Sequence, residues 1–141
     1  MGIAFCVNRW DFVSSGMDNE ISFDAKTMDT DNGWNNTHYI VPLHGLYYLS
    51  LAFNRCKLNT NPQPNEVTVF IKRNDMKATI GIPSGDSSCS GFGQINIVLE
   101  FTQGDKISVI ACSDNNGRFK LKNVQFTGFY IGEIGNIENK A

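Results

Sequence analysis

The chain has 141 residues, an apolar content of 41% and a formal net charge of −2. This length predicts a single domain over residues 1–141, with a core of about 3–134 and a tail at 135–141. The balanced charge argues against nucleic-acid binding, which needs a basic face. No apolar run approaches the roughly 20 residues that cross a bilayer as a helix, so we expect no membrane insertion.

Short runs of β-branched and aromatic residues, separated by loops rich in asparagine, glycine and proline, predict strands along the whole chain. In residues 45–53, for example, Tyr47, Leu49 and Leu51 share one face. The predicted strands are 3–8, 21–24, 37–42, 45–54, 66–73, 77–82, 93–102, 106–112 and 123–132. No sustained helical stripe occurs. We therefore predict an all-β, two-sheet sandwich or jelly roll of about ten short antiparallel strands.

Three aromatic residues, Tyr48, Phe70 and Phe129, lie on strand faces opposite the main apolar set of their neighbours. In an isolated sandwich the outer faces are polar. These residues therefore favour an oligomer, whose interface would cover them. The alternative is that they are scattered surface aromatics, which are common.

No group of residues in the sequence is typical of an enzyme. The G-x-S-x-G motif is absent, and the serines of residues 84–91 indicate a polar loop. Gly91-Phe92-Gly93 lacks the third glycine and the helix of a dinucleotide site. His38 and His44 flank one short strand without an identifiable acid–base partner. We therefore expect no enzymatic activity.

The acidic loop residues leave calcium open. Asp29 begins a segment like a calcium loop, but the sixth and twelfth positions are Trp34 and Ile40 instead of glycine and glutamate. Carboxylates from separate loops would together form a calcium site. The alternative is that they are solvated turn residues. No C-x-x-C motif predicts zinc. Buried thiols are the simplest interpretation of the four cysteines, Cys6, Cys56, Cys89 and Cys112.

Basic residues alternate late in the chain, at Arg118, Lys120 and Lys122. In an extended segment this spacing places all three on one face. Such a face attracts an anionic ligand, or it is a solvated strand edge where lysine prevents aggregation. The sequence alone leaves both interpretations open.

Several motifs occur together in one order. Phe23, Asp29 and Trp34 precede Tyr39, and Gly45 opens the run G-x-Y-x-L-x-L. Further on come residues 67–74, the hairpin 99–109 with Gly104-Asp105, and the closing residues 126–130. Together they resemble the globular head domain family of complement C1q, which is related in fold to tumour necrosis factor. The chain departs from the family pattern in a spacing between Trp34 and Tyr39 that is two residues shorter, and in leucines at two aromatic positions.

The resemblance implies a C1q/TNF-like jelly roll in which three domains pack around a three-fold axis. That packing would account for the second apolar face and makes Tyr48 and Phe129 the candidate trimer interface. Gly45 would permit a turn, and Gly128 would let a neighbouring group approach closely. The core motif residues are Phe23, Trp34, Tyr39, Gly45, Tyr47 and Gly128.

The resemblance further implies a secreted homotrimer, of the stand-alone type found in invertebrates, with lectin-like innate-immune pattern recognition. Its ligand would be a microbial surface glycan or a cell-surface receptor, bound through apical loops, with calcium in some members. The alternative is a structural trimerisation or assembly head of a collagen-like, spore or virion surface protein. The loops 114–122 and 84–92 are the candidate contact surface. The candidate ligand-binding residues are Asn115, Asn116, Arg118 and Lys120.

Two expectations concern processing. The start of the sequence lacks the pattern of a signal peptide, so we expect a mature fragment in preference to an intracellular protein. The jelly-roll topology implied by the resemblance would bring Cys56 near Cys89 at one end of the sandwich. We therefore predict a disulfide between them, which requires Cα atoms within about 7 Å.

Overall fold

The computed structural model describes residues 2–56, 58, 63–79, 81–84 and 91–135. These residues form twelve strands in two antiparallel sheets. The strands are β1 (Ala4–Ser15), β2 (Asn19–Glu20), β3 (Ala25–Asp29), β4 (Trp34–Asn35), β5 (His38–Ile40), β6 (Gly45–Cys56), β7 (Val67–Arg73), β8 (Met76–Lys77), β9 (Ile82–Ser84), β10 (Gly91–Phe101), β11 (Lys106–Ser113) and β12 (Arg118–Gly132).

The first sheet has the strand order β10-β6-β12-β1-β3. The second has the order β4-β5-β11-β7-β8, with β2 paired to β11 and β9 paired to β7. The predicted all-β, two-sheet sandwich is confirmed. In the described part of the chain, no helix has the length and apolar character needed to span a membrane.

Strands β6, β7, β10 and β11 match the predicted ones closely. Strands β2, β3 and β4 were not predicted, β12 begins at Arg118 instead of residue 123, and three further regions differ. Strand β1 continues past residue 8 to Ser15, because residues 11–15 pair with β12 in the same register as residues 4–9. The period-two burial pattern that the sequence prediction followed breaks between Val7 and Phe12. Residues 21–24 are not a strand, although Ile21 and Phe23 are buried and each donates one backbone hydrogen bond. Residues 77–82 do not form one strand, since β8 ends at Lys77 and β9 begins at residue 82.

The core between the sheets is aromatic at one end. The ring of Phe5 lies 4.5 Å from that of Tyr39 and 5.2 Å from that of Phe126, and Trp34 lies 5.3 Å from Phe23. Such edge-on and tilted ring pairs add to the free energy gained by burial. All six residues of the predicted core motif are buried: Phe23, Trp34, Tyr39, Gly45, Tyr47 and Gly128.

The loop after β3 is closed by Asp29, whose side chain is 4% exposed. Its two carboxylate oxygens accept hydrogen bonds from the backbone N–H groups of Gly33 at 2.9 Å and Trp34 at 3.0 Å. Lys26 Nζ lies 3.6 Å away. Both carboxylate oxygens therefore hold the loop through hydrogen bonds. These hydrogen bonds account for the aspartate at this position without a calcium ion.

The phenol of Tyr47 gives a prediction at alkaline pH. Its hydroxyl donates to the Leu43 carbonyl at 2.6 Å, and burial raises its pKa to about 12. Burial also raises the pKa of Tyr39. An unfolded tyrosine ionises near pH 10, so the folded state loses stability as the pH rises from about 10 to 12. Urea unfolding at pH values from about 10 to 12 should show a smaller loss of unfolding free energy for Tyr47→Phe than for the parent. An identical loss in both proteins would contradict the conclusion that ionisation of Tyr47 lowers the stability.

Candidate functional site

The outer face of the first sheet carries a group of apolar side chains at the end where β1 begins. Tyr48 of β6 is paired across the sheet with Phe129 of β12 and with Val98 of β10. The rings of Tyr48 and Phe129 are stacked, with centroids 5.1 Å apart. Phe129 is 45% exposed and Val98 47%. We call this surface, with the neighbouring Leu46 and Ile131, the apolar sheet face.

The neighbouring cross-strand row is polar but uncharged. Asn96 Oδ1 accepts hydrogen bonds from Tyr48 Oη at 3.1 Å and from Ser50 Oγ at 2.7 Å. Further along the row, Thr127 Oγ1 donates to Cys6 Sγ at 3.5 Å. No described residue of this row, or of the row containing Tyr48 and Phe129, carries a charge. Covering these two rows would therefore bury no charged group, and their hydroxyl groups already have partners. Glu100, which is paired with Leu46 in the next row and lies 2.8 Å from His44, borders this surface.

The third outward-facing aromatic behaves differently. Phe70 is only 5% exposed within a single chain. It is paired with Ile110 across the second sheet, and Lys77 Nζ lies 4.8 Å from its ring centroid. The burial of Phe70 thus needs no partner copy. Of the three outward-facing aromatics named from the sequence, Tyr48 and Phe129 are the ones that a single chain leaves partly exposed.

The basic residues of β12 share one face, as their spacing predicts, at the opposite end of the same sheet from Phe129. Lys120 Nζ lies 3.4 Å from Asp11 Oδ1. Lys122 Nζ lies 5.5 Å from the ring centroid of Trp10, which is 58% exposed. Arg118 is exposed beside Ser15.

The loop before β12 contains the two predicted asparagines. Asn115 is engaged inside the chain, because its Nδ2 donates to Gln63 O at 3.1 Å and its Oδ1 accepts from Gly117 N at 2.6 Å. Asn116 is exposed. Asn115 therefore shapes the loop, whereas Asn116 and Arg118 present side chains to solvent.

This loop lies at the pole away from residues 3 and 130. Ala4 is paired with Phe129 at one end of β1, and Ser15 with Arg118 at the other. The buried Arg55 donates to the carbonyls of Pro64 and Asn65 at this second pole. Asp114 in turn accepts from the backbone N–H of Asn65 at 3.0 Å. We call this end, with loop 114–117, the loop pole.

Part of the predicted contact surface lies outside the described residues. Cys56 ends β6 and is buried, but Cys89 is not among the described residues, so their disulfide stays a prediction. Most of loop 84–92 also lies outside the described residues, so its role as a contact surface stays a prediction. Among the described residues, no three histidine, cysteine or acidic side chains form a group able to hold a metal ion.

A hollow that the sequence does not reveal lies on the outer face of the second sheet. Its volume is about 400 Å³. Its residues come from distant segments of the chain, and nothing in the sequence showed that these segments are neighbours. Its lining includes Glu20, His38, Lys72, Asp75, Lys106 and Ser108.

The two sheets, their strand order and the apolar sheet face define a domain of the C1q/TNF-like fold. The globular domain of zebrafish complement 1qA protein is similar, with a TM-score of 0.67 and 16% identity over 93% of this chain and 98% of that one. Eiger TNF from S. frugiperda has a TM-score of 0.65 and 10% identity over 94% of each chain. Murine APRIL has a TM-score of 0.61 and 13% identity over 91% of this chain and 99% of that one.

At such identities the likeness shows the fold alone. No model of a known protein family matches the sequence, and no curated protein matches it. Proteins of this fold are typically trimeric, extracellular binding modules and are generally not enzymes. The resemblance to the C1q family is therefore confirmed at the level of the fold. The stand-alone invertebrate type stays a prediction.

Proposed function

We propose that the protein is a secreted, non-enzymatic recognition module that assembles as a homotrimer through the apolar sheet face. The observation that carries this proposal is the stacked pair of Tyr48 and Phe129, which lies on two cross-strand rows without charged residues. Exposed apolar surface flanked by polar groups marks interaction sites in soluble proteins. A second copy of the chain is the partner that the fold favours.

The loop pole is the proposed ligand-binding end. Arg55 and Asp114 fix its backbone, so binding would cost little ordering of the chain. Asn116 and Arg118 supply exposed polar groups, and Lys120 lies behind them beside Asp11. A glycan or a protein surface with anionic groups fits this chemistry.

Assembly would place three loop poles in one particle. Three linked sites raise the apparent affinity for a repetitive surface, such as a microbial glycan coat, without any new contact. This arrangement supports lectin-like pattern recognition in innate immunity. The proposed recognition requires no cofactor. A role for calcium is tested together with the oligomeric state below.

The oligomer is tested by replacing Phe129 with aspartate. The parent should have a mass by light scattering of three times 15.7 kDa. Phe129→Asp should elute as the monomer, because each closed interface would bury an unpaired carboxylate. Met76→Asp is the matched control, since Met76 is 73% exposed on the other sheet and should leave the trimer intact.

Three outcomes separate the possibilities. A Phe129→Asp variant that stays trimeric would show that the interface lies elsewhere. Loss of the parent trimer on calcium chelation would establish a calcium site. A stable trimer that binds no glycan on an array would favour the structural assembly head over the recognition module.

A further inference from the structure

The hollow on the second sheet is built on one cross-strand row. His38 of β5 is paired with Ser108 of β11, Ser108 with Lys72 of β7, and Lys72 with Lys77 of β8. Residues directly opposite each other share a face of the sheet, with Cβ atoms about 4.5–5.5 Å apart. Ile107 and Val109 point into the core, so Ser108 and this row point outward.

The row gathers positive charge. Lys106 lies two residues before Ser108 on the same strand and therefore on the same face. Lys72 and Lys106 both line the hollow, and neither forms an ion pair with any residue that the structure describes. The two lysines share the outer face of the sheet, and the carboxylates of Glu20 and Asp75 line the same hollow. An anionic group placed between the two lysines would be attracted to both ammonium groups.

The rim beside these lysines is fixed by Asn74, which follows β7 with a φ of 54°. Its Oδ1 accepts from Lys106 N at 3.0 Å, and its backbone N donates to Lys106 O at 2.8 Å. Its Nδ2 donates to Asp105 Oδ1 at 3.1 Å. Three hydrogen bonds of Asn74 thus lock the turn after β7 to the start of β11. The hollow is formed before any ligand arrives.

The remaining polar groups fit a ligand with hydroxyl groups. The carboxylates of Glu20 and Asp75 line the hollow and would accept hydrogen bonds from hydroxyl donors. Ser108 is 3% exposed, and its hydroxyl makes none of the side-chain hydrogen bonds in the described part of the chain. A volume of about 400 Å³ is in the range of small-molecule sites.

We propose that this hollow binds an acidic saccharide. The sulfate or carboxylate of the sugar would lie between Lys72 and Lys106, and its hydroxyls would donate to Glu20 and Asp75. The site is on the outer face of the second sheet, whereas the apolar sheet face belongs to the first. It is therefore separate from the proposed interface and from the loop pole, and its occupancy does not depend on the oligomeric state.

The test follows the amide NMR spectrum of the full chain during titration with three sugars. These are N-acetylneuraminic acid, a sulfated N-acetylglucosamine and neutral N-acetylglucosamine. At least one acidic sugar should shift the amide signals of His38, Lys72 and Ser108 in a saturable way, and the neutral sugar should not. Binding of only one acidic sugar identifies the anionic group, and either result supports the proposal.

Variants locate the site. Lys72→Gln should weaken binding about tenfold or more, because a charge-assisted hydrogen bond is lost. Lys26→Gln is the matched control, since it removes an exposed ammonium group on β3 of the first sheet, away from the hollow and from the loop pole, and should leave these shifts unchanged. The mass by light scattering of both variants should match that of the parent. Saturable shifts from neither acidic sugar, or unchanged affinity in Lys72→Gln, would overturn the proposal whatever the oligomeric state.

Discussion

A Gly128→Val variant should unfold with a free energy about 3 kcal/mol lower than that of the parent. A Cβ at position 128 would lie 2.5 Å from Phe5 Cε2 and 2.8 Å from Leu49 Cδ2. The Phe5 ring cannot retreat easily, because it is held between Tyr39 and Phe126 in the aromatic end of the core. Relief of the clash therefore requires β1 and β12 to separate where they pair.

Urea unfolding followed by tryptophan fluorescence measures this effect. Parent and variant should be compared at one protein concentration, since unfolding of an oligomer depends on concentration. Gly2→Val is the matched control, because a Cβ there would meet no atom within 4 Å. An unchanged midpoint for Gly128→Val would mean that the core around Phe5 repacks at little cost.

Asp29→Ala should lower the free energy of unfolding by about 3 kcal/mol, through loss of two charge-assisted hydrogen bonds in a buried loop. The N–H groups of Gly33 and Trp34 would lose their acceptors. Because Trp34 packs on Phe23 in the core, movement of this loop would also loosen the aromatic cluster.

Asp31→Ala is the control for this variant, since Asp31 is an exposed carboxylate two residues further along the loop. Thermal and urea unfolding should place Asp31→Ala close to the parent. Asp29→Asn should fall between the two, because one oxygen acceptor remains. Equal stability of all three variants would show that water replaces the carboxylate in this loop.

The sequence was sufficient to predict the sandwich and the direction of many side chains. Alternation in β6 and in residues 124–129 of β12 identified Tyr48 and Phe129 as outward-facing, because the period of a strand is two. The same alternation placed Arg118 and Lys120 on one face. These properties depend on neighbours along the chain, which the sequence displays directly.

Properties that depend on strand order were not predictable. His38, Ser108 and Lys72 come from three distant segments and meet only because β5, β11 and β7 are neighbours. The burial of Phe70 also depends on a second strand, since Lys77 of β8 lies over its ring. The hydrogen bonds of Asn115 involve Gln63, far away in sequence. Each of these features is a tertiary contact without a local pattern.

The strand order of the first sheet bears on the order of events during synthesis. Strand β12 lies between β6 and β1, so the two parts of this sheet are joined only by residues 118–132. While a ribosome is still making the earlier segments, β1 and β6 each have an unpaired edge. Completion of the sheet must await the last strand, and contacts between such distant segments make folding slow. Nascent chains would thus carry open, apolar strand edges from the emergence of β1 until β12 emerges, and would depend on protection from aggregation during that interval.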